Sequence, residues 1–349
     1  MTLLVTGALG NVGRWVVREL GAHGHQVVAL DLPRREALRG RTPVRMLFGE
    51  ITDPDLVSAG LEGVDAVIHL AAIIPPRADR EPDIARHVNV EGTRTLVRAM
   101  EERTRAKPGA APRLVYASSV AVYGDRRLRP LITEEDVPSP NPEDAYGNQK
   151  LEAEEIIRAS RLEWSILRLS YVVAGDALVM DPLLYEMPPE TAIEPCHVAD
   201  VACALRVAAE TPAAVGRTFL IAGGAGWRIM YRDYLDLMFR AFGLGRNFLP
   251  ADAFGKGPFH CAFMDTAVSN GLLRYQHRSF VQFIDRVRRD RRMTRLLLTA
   301  VRPVARAYLL SRSPHFRRYL ALRARGEAAR LHLQVRVCLG LGVPRRRAG

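Results

Sequence analysis

Thr2-Leu3-Leu4-Val5-Thr6-Gly7-Ala8-Leu9-Gly10-Asn11-Val12-Gly13 is the stretch on which the fold turns: a short apolar run emptying into a glycine-spaced loop. A continuous apolar run of this length reads as a parallel strand buried on both faces. The glycines let the backbone turn tightly and lie against a pyrophosphate, and a following helix aims its free N–H groups and positive dipole end at the same charge. Taken alone, the loop also fits a plain glycine-rich turn between a strand and a helix. Residues downstream supply the context. Val12, Trp15, Val16 and Leu20 recur at helical spacing, which predicts a helix over 11–21 with Gly21 as its C-terminal cap. Val27 to Leu30 is a second buried strand, and it ends at Asp31, 18 residues after Gly13. An acid there accepts hydrogen bonds from an adenosine ribose and repels a 2′-phosphate, favouring NAD over NADP; Arg34 and Arg35 close behind would soften that preference.

The alternation continues. Strands are predicted at 44–48, 66–70, 114–117 and 165–169, with helices over 83–100 and 144–159 between them. Such alternation implies an α/β fold with a Rossmann-like, doubly wound parallel sheet. Between Tyr171 and Pro195 the pattern breaks at prolines 182, 188, 189 and 195, which suggests a loop or lid over a pocket. Helical spacing returns over 197–209, a strand over 218–222 and a helix over 231–241. The expected organisation is a nucleotide-binding domain over 1–170, a smaller substrate lobe over 171–279 that returns to the first core around 197–222, and a helical extension over 280–349.

Charge is distributed unevenly. The net charge of +12 arises from residues 280–349, which hold 18 arginines, no lysine and three acids, a balance of +15. The preceding 279 residues balance at −3, so the basic pI describes the extension alone. There apolar clusters (296–301, 304–310, 331–341) alternate with arginines. That pattern fits helices packed on the lobe or on another subunit, or a peripheral contact with an anionic membrane. Few aromatics interleave the charges, so nucleic acid is disfavoured. No apolar stretch reaches membrane-spanning length and no signal peptide is evident, so a cytoplasmic protein is expected. Cys196, Cys203, Cys261 and Cys338 lack metal or redox spacing, and no metal site is indicated.

Tyr146 and Lys150 lie four apart on a predicted helix and project from one face. A lysine ammonium beside a phenol favours the phenolate, which suits an acid–base pair, and Ser119 at the end of the fifth strand can hold a substrate oxygen in line with it. The pair alone also fits a surface helical contact. Taken in order, Thr6-Gly7-x-x-Gly10-x-x-Gly13, Asp31, Asp53, His69-Leu70-Ala71-Ala72, Asn89-Val90-Glu91-Gly92-Thr93, Ser118-Ser119 with Val122-Tyr123-Gly124, Tyr146-x-x-x-Lys150, Leu167-Arg168 and His197-Val198-Ala199-Asp200 resemble the extended short-chain dehydrogenases/reductases, the NAD-dependent epimerase/dehydratase family. The resemblance covers residues 1 to about 225.

It implies Ser119, Tyr146 and Lys150 as catalytic residues, with Tyr146 the acid–base and Lys150 lowering its pKa while holding the nicotinamide ribose. The implied cofactor contacts are Gly7, Leu9, Gly10, Asn11, Val12 and Gly13, Asp31, Ile51, Asp53 at the adenine amine, Leu70, Ala71, Ala72, Asn89, Ala117, and Tyr146 and Lys150 again. Ser119, Val120 and Tyr171 would face substrate, and a homodimer through the Tyr146 helix and its neighbour is implied.

Departures from the family pattern narrow the chemistry. Val120-Ala121-Val122 holds none of the acids that dehydratases place there, and Ala145 replaces the usual proline before the tyrosine. Leu169-Ser170-Tyr171 lacks the asparagine that epimerases use on a diphosphate, and Ile193-Glu194-Pro195-Cys196 offers an acid where they often carry a base. A dianionic diphosphate needs donors and cations. The favoured reading is therefore an NAD-dependent oxidoreductase acting on a secondary alcohol or ketone of a small, lipophilic substrate. The alternatives are a nucleotide-sugar epimerase using transient oxidation, and a non-catalytic NAD(P)-sensing protein.

Overall fold

Seven parallel strands form the sheet around which the chain is built: β1 (Thr2–Thr6), β2 (Gln26–Asp31), β3 (Val44–Phe48), β4 (Ala66–His69), β5 (Arg113–Ser119), β6 (Trp164–Leu169) and β7 (Arg217–Ile221). The computed structural model describes residues 1–33, 43–107, 111–174 and 183–325. Arg34, Arg35, Cys338 and the apolar cluster 331–341 lie outside the described residues. The spatial order is β3-β2-β1-β4-β5-β6-β7, so the direction of winding reverses between β1 and β4. In open sheets of this kind the crevice at that reversal, beyond the carboxyl ends of the strands, is where ligands bind. Register places Thr6 opposite both Leu30 and His69, and His69 opposite Tyr116, so the ends of four strands meet at one edge of the sheet.

Successive strand residues face opposite sides. Leu3 and Val5 pack with α1 (Gly13–Ala22) and α5 (Val198–Glu210) on one side. Leu4, Val28 and Leu30 pack on the other side with α2 (Pro54–Gly60), α3 (Gly92–Ala106) and α4 (Ala145–Ala159). A separate aromatic core around Trp227, Tyr231, Phe239 and Phe248 builds the second lobe. It gathers α6 (Tyr231–Ala241), α7 (Phe280–Asp290) and α9 (Arg302–Arg312), with α8 (Arg292–Ala300) between the last two.

The structure corrects several local expectations. The first helix is capped at His23, with the left-handed glycine at Gly24 (φ 77°) rather than at Gly21. The helix expected over 83–100 is interrupted by a π-helical turn, His87–Glu91, before α3 begins. The described part of the 171–195 stretch is built into the second core through Leu184, Tyr185 and Met187, all buried, and is not an exposed loop. The strand at 217–221 and the helix at 198–210 pack with the first core.

Candidate active site

The glycine loop leaves β1 at Thr6 and is held from behind. Gly7 N–H donates to Leu30 O at 2.9 Å, and Leu9 N–H donates to Asp31 Oδ2 at 2.7 Å. Asp31 Oδ1 accepts from Leu32 N–H at 2.7 Å, so this acid braces the turn as well as ending β2. Space requires two of the three glycines, Gly7 and Gly13. A Cβ on Gly7 (φ 70°) would meet Ala71 N at 2.8 Å, and one on Gly13 would lie 2.2 Å from Gly7 O. The backbone N–H groups of Asn11, Val12 and Gly13, at the start of α1, find no acceptor among the described residues. A close-wound loop, donors left open at a helix start, and the small Ala71 and Ala72 across from it together fit the pyrophosphate of a dinucleotide.

Gly13→Ala tests this cradle. Its Cβ would meet backbone atoms of Gly7 and Ala8, which cannot swing away as a side chain can. The variant should lose about 1–3 kcal/mol of stability and bind NAD more weakly, by thermal melting and calorimetric titration. Gly10→Ala, whose Cβ would approach Gly7 O at 3.1 Å, should be milder.

Asp53 is exposed and its Oδ1 caps α2, accepting from Asp55 and Leu56 N–H at 3.0 and 3.2 Å. Ile51 is buried against the space of Gly92. Leu70 and Ala71 N–H both donate to Thr6 Oγ1 at 3.2 Å. With Thr6 Oγ1 accepting these two, its own proton goes to His69 Nδ1 (2.6 Å); His69 Nε2–H then donates to Thr93 Oγ1 (3.0 Å), and Thr93 Oγ1–H to Asn89 O (2.7 Å). Burial, aided by the Lys150 charge, lowers His69 to about 3, so the ring is neutral as this chain of bonds requires. The chain joins β1, β4 and the π turn that carries Asn89. That turn directs the Asn89 side chain inward, where Oδ1 accepts from Ile73 N–H (2.7 Å) and Nδ2 donates to Gln149 Oε1 on α4 (2.8 Å). Asn89 thus fastens the loop after β4 to α4.

Ser119 ends β5 and Tyr146 opens α4, and the two hydroxyls are hydrogen-bonded. Ser119 Oγ also accepts from Ala121 N–H at 3.2 Å. One turn on, Lys150 Nζ donates to Ala117 O at 2.8 Å and lies 5.9 Å from the centre of the Tyr146 ring. All three residues thus meet where β5 delivers them. The electrostatics differ from the expectation that lysine lowers the tyrosine pKa. Burial raises the Tyr146 phenol, the Ser119 hydrogen bond opposes that rise, and Asp144 adds to it. Lys150 is itself lowered to about 7 by burial, with the Glu154 carboxylate pulling the other way. At this separation, with its ammonium turned to Ala117, the lysine does not bond the phenol, and Tyr146 is held protonated.

Sequence spacing missed the layer beneath. Glu154, fully buried, accepts from Ser118 Oγ (2.5 Å), from Arg168 Nε and Nη2 (3.0 and 2.7 Å) and from Arg158 Nη1 (2.8 Å). Arg168 Nη1 also donates to Tyr123 Oη at 2.5 Å. At the other end of α4, Asp144 caps the helix through Gly147 N–H (2.9 Å) and pairs with His260 of the second lobe. Val120 is buried in the second core, and Tyr171 packs edge-on to Tyr234 at 6.0 Å. Glu194, the acid noted before His197, does not face outward. It is 1 % exposed and accepts from Gly224 N–H, Met264 N–H and Arg228 Nε, so it braces the lobe.

Comparison with known proteins agrees with this geometry. Residues 3–175 match the profile of the NAD-dependent epimerase/dehydratase family. Through them the chain belongs to that family. D-erythronate dehydrogenase of Cupriavidus necator is 29% identical over 185 residues, 48% of this chain and 54% of the relative. UDP-glucose 4-epimerase of Lactobacillus helveticus is 33% identical over 183 residues, 50% of this chain and 52% of the relative. The chain thus spans about half the length of the curated relatives it matches. A solved UDP-glucose 4-epimerase of Bifidobacterium longum, in complex with NAD+ and UDP, superposes with a TM-score of 0.69 at 19% identity, covering 82% of this chain and 97% of that one. At that identity the likeness speaks for the fold, a Rossmann-like sheet with a second lobe.

Proposed function

We propose that the chain is an NAD-dependent oxidoreductase of the extended short-chain type, moving a hydride between nicotinamide and a secondary alcohol or ketone, with Tyr146 as acid–base. The observation that carries the reading is the meeting of Ser119, Tyr146 and Lys150 at the carboxyl ends of the strands, beside a glycine loop built for a pyrophosphate. Gly7 to Gly13 would hold the pyrophosphate, Asp31 the adenosine ribose, Asp53 and Ile51 the adenine side, and Leu70, Ala71, Ala72, Asn89 and Ala117 would line the rest. When bound, NAD supplies the carbon that accepts or donates the hydride. The chain's own work is to hold the substrate oxygen on Ser119 and to move a proton at Tyr146 Oη. A protonated Tyr146 is set to donate its proton when a carbonyl is reduced.

A small substrate is favoured over a nucleotide sugar. Arg168 is engaged by Glu154 and Tyr123, Ile193 is fully buried, and Leu169-Ser170-Tyr171 offers no asparagine to a diphosphate. Epimerisation is the second reading, supported by the 33% identity to a UDP-glucose 4-epimerase. Purified chain with NAD and a panel of hydroxy acids, aliphatic and aromatic alcohols and UDP-sugars separates the two. Net NADH formation with an alcohol is the expected outcome. Epimer exchange in a UDP-sugar without net NADH would instead establish the second reading. The proposed homodimer would pair the outer faces of α3 and α4, where Arg94, Arg98, Glu101 and Glu155 surround Ile156.

A further inference from the structure

Among the described residues, the extension over 280–325 is fastened to the second lobe by one face. Leu298, Ala305 and Leu310 pack against its core, and Leu309 is buried within it. Tyr185 Oη donates to Leu309 O (2.9 Å), Arg306 Nε to Phe248 O (2.8 Å) and Ser313 Oγ to Ala253 O (2.6 Å). The opposite face is apolar as well. On α8, Met293, Leu296, Leu297 and Ala300 follow one another at i, i+3, i+4 and i+7, and Val301 at the junction with Val304 and Tyr308 on α9 continue the stripe. The six large side chains among these are between 39% and 78% exposed. Single exposed apolar residues are ordinary, but six within residues 293–308 form a patch of the kind that marks an interaction surface.

Charge identifies what the patch faces. Residues 280–325 contain 13 arginines and two acids, Asp285 and Asp290. A second copy of the chain would set this excess of positive charge against itself. Nucleic acid would satisfy the arginines and leave Met293, Leu296 and Leu297 in water. An anionic bilayer satisfies both: apolar side chains enter the boundary between headgroups and acyl chains while the flanking guanidinium groups meet lipid phosphates. No helix among the described residues is long and apolar enough to cross a membrane, so the contact is a peripheral one. We propose that the exposed face of α8 and α9, centred on Leu296, Leu297 and Val304, docks the protein on an anionic membrane surface. The inference does not depend on the reaction proposed above.

Vesicle flotation of the full chain tests it. Vesicles of phosphatidylcholine with about a third phosphatidylglycerol should bind at least ~10-fold more tightly than phosphatidylcholine alone, with binding weakened by high salt. The double substitution Leu296→Glu/Leu297→Glu should cut binding by about tenfold or more, and Arg292→Gln/Arg295→Gln by a similar factor. These positions are exposed, so melting temperatures should stay within ~2 °C of the parent and report that the fold is intact. Absence of binding to the anionic vesicles overturns the proposal. So does binding that survives the leucine substitutions, which would be charge attraction alone, as nucleic acid would give. Light scattering that shows a dimer dissociated by Leu296→Glu/Leu297→Glu without vesicles would assign the face to a second copy and overturn it too.

Discussion

Tyr146→Phe is expected to lower kcat by about 10²–10⁴-fold, the range for removing a positioned acid–base. It should leave NAD affinity within about a factor of two. The substitution removes one oxygen from a ring that is only 9 % exposed, so packing is nearly unchanged. What is lost is the phenol that shares a hydrogen bond with Ser119 and stands at the strand ends beside Lys150. The glycine loop from Gly7 to Gly13 and the Asp31 brace are on other elements and keep their geometry. Calorimetric titration with NAD and initial rates with the active alcohol or ketone give the two readouts. Wild-type rates in the variant would remove Tyr146 from the mechanism, and loss of NAD binding would mean that the phenyl ring had disturbed the cleft.

The sheet was legible because its strands are mostly apolar runs bounded by a change of composition; predicted and observed strands agree to within two residues at their ends. Asp31, Ser119 and the Tyr146–Lys150 pair were legible because their spacing from the glycine loop or along a helix carries the geometry with it. The π turn at His87–Glu91 was not, since periodicity over 83–100 reads the same with one residue inserted into a turn. Without that turn the Asn89 side chain has no evident partner, and the run from Thr6 through His69 and Thr93 is invisible, being made across three elements far apart in sequence. Glu154 was hidden for another reason. At four residues past Lys150 it reads as one more charge on an exposed helix, and only the packing of β6 brings Arg168 to meet it. The Asp144–His260 pair joins residues of two lobes and leaves no local signal at all.

Glu154→Gln should cost about 3–5 kcal/mol, the usual penalty for breaking a buried ion pair by removing one partner. Glutamine keeps the shape but not the charge, and the nearly buried Arg168 guanidinium then has Tyr123 Oη and a neutral amide where it had a bidentate carboxylate. Burial alone would raise the Glu154 pKa, but its bonds from Arg168 and Ser118 and the charge of Arg158 hold it below the ordinary value of 4.5. A carboxylate lowered in the folded state binds its proton more readily when unfolded. Its stabilisation is therefore complete above pH 4.5 and is lost as the pH falls through the lower folded value, so the wild type should lose more stability in acid than the variant does. The second effect reaches the active site. The Glu154 charge supports the Lys150 ammonium against burial, which already lowers that group to about 7. The ammonium is the form present below its pKa, so kcat/KM for a reaction that needs it falls as pH rises through that value. Without the carboxylate, this alkaline fall should move to lower pH in the variant. A residue that only fills space would lower the melting temperature and leave the pH profile where it was. A lowered melting point with an unmoved alkaline limb would therefore confine Glu154 to packing, whereas movement of both would make it the residue that keeps Lys150 charged.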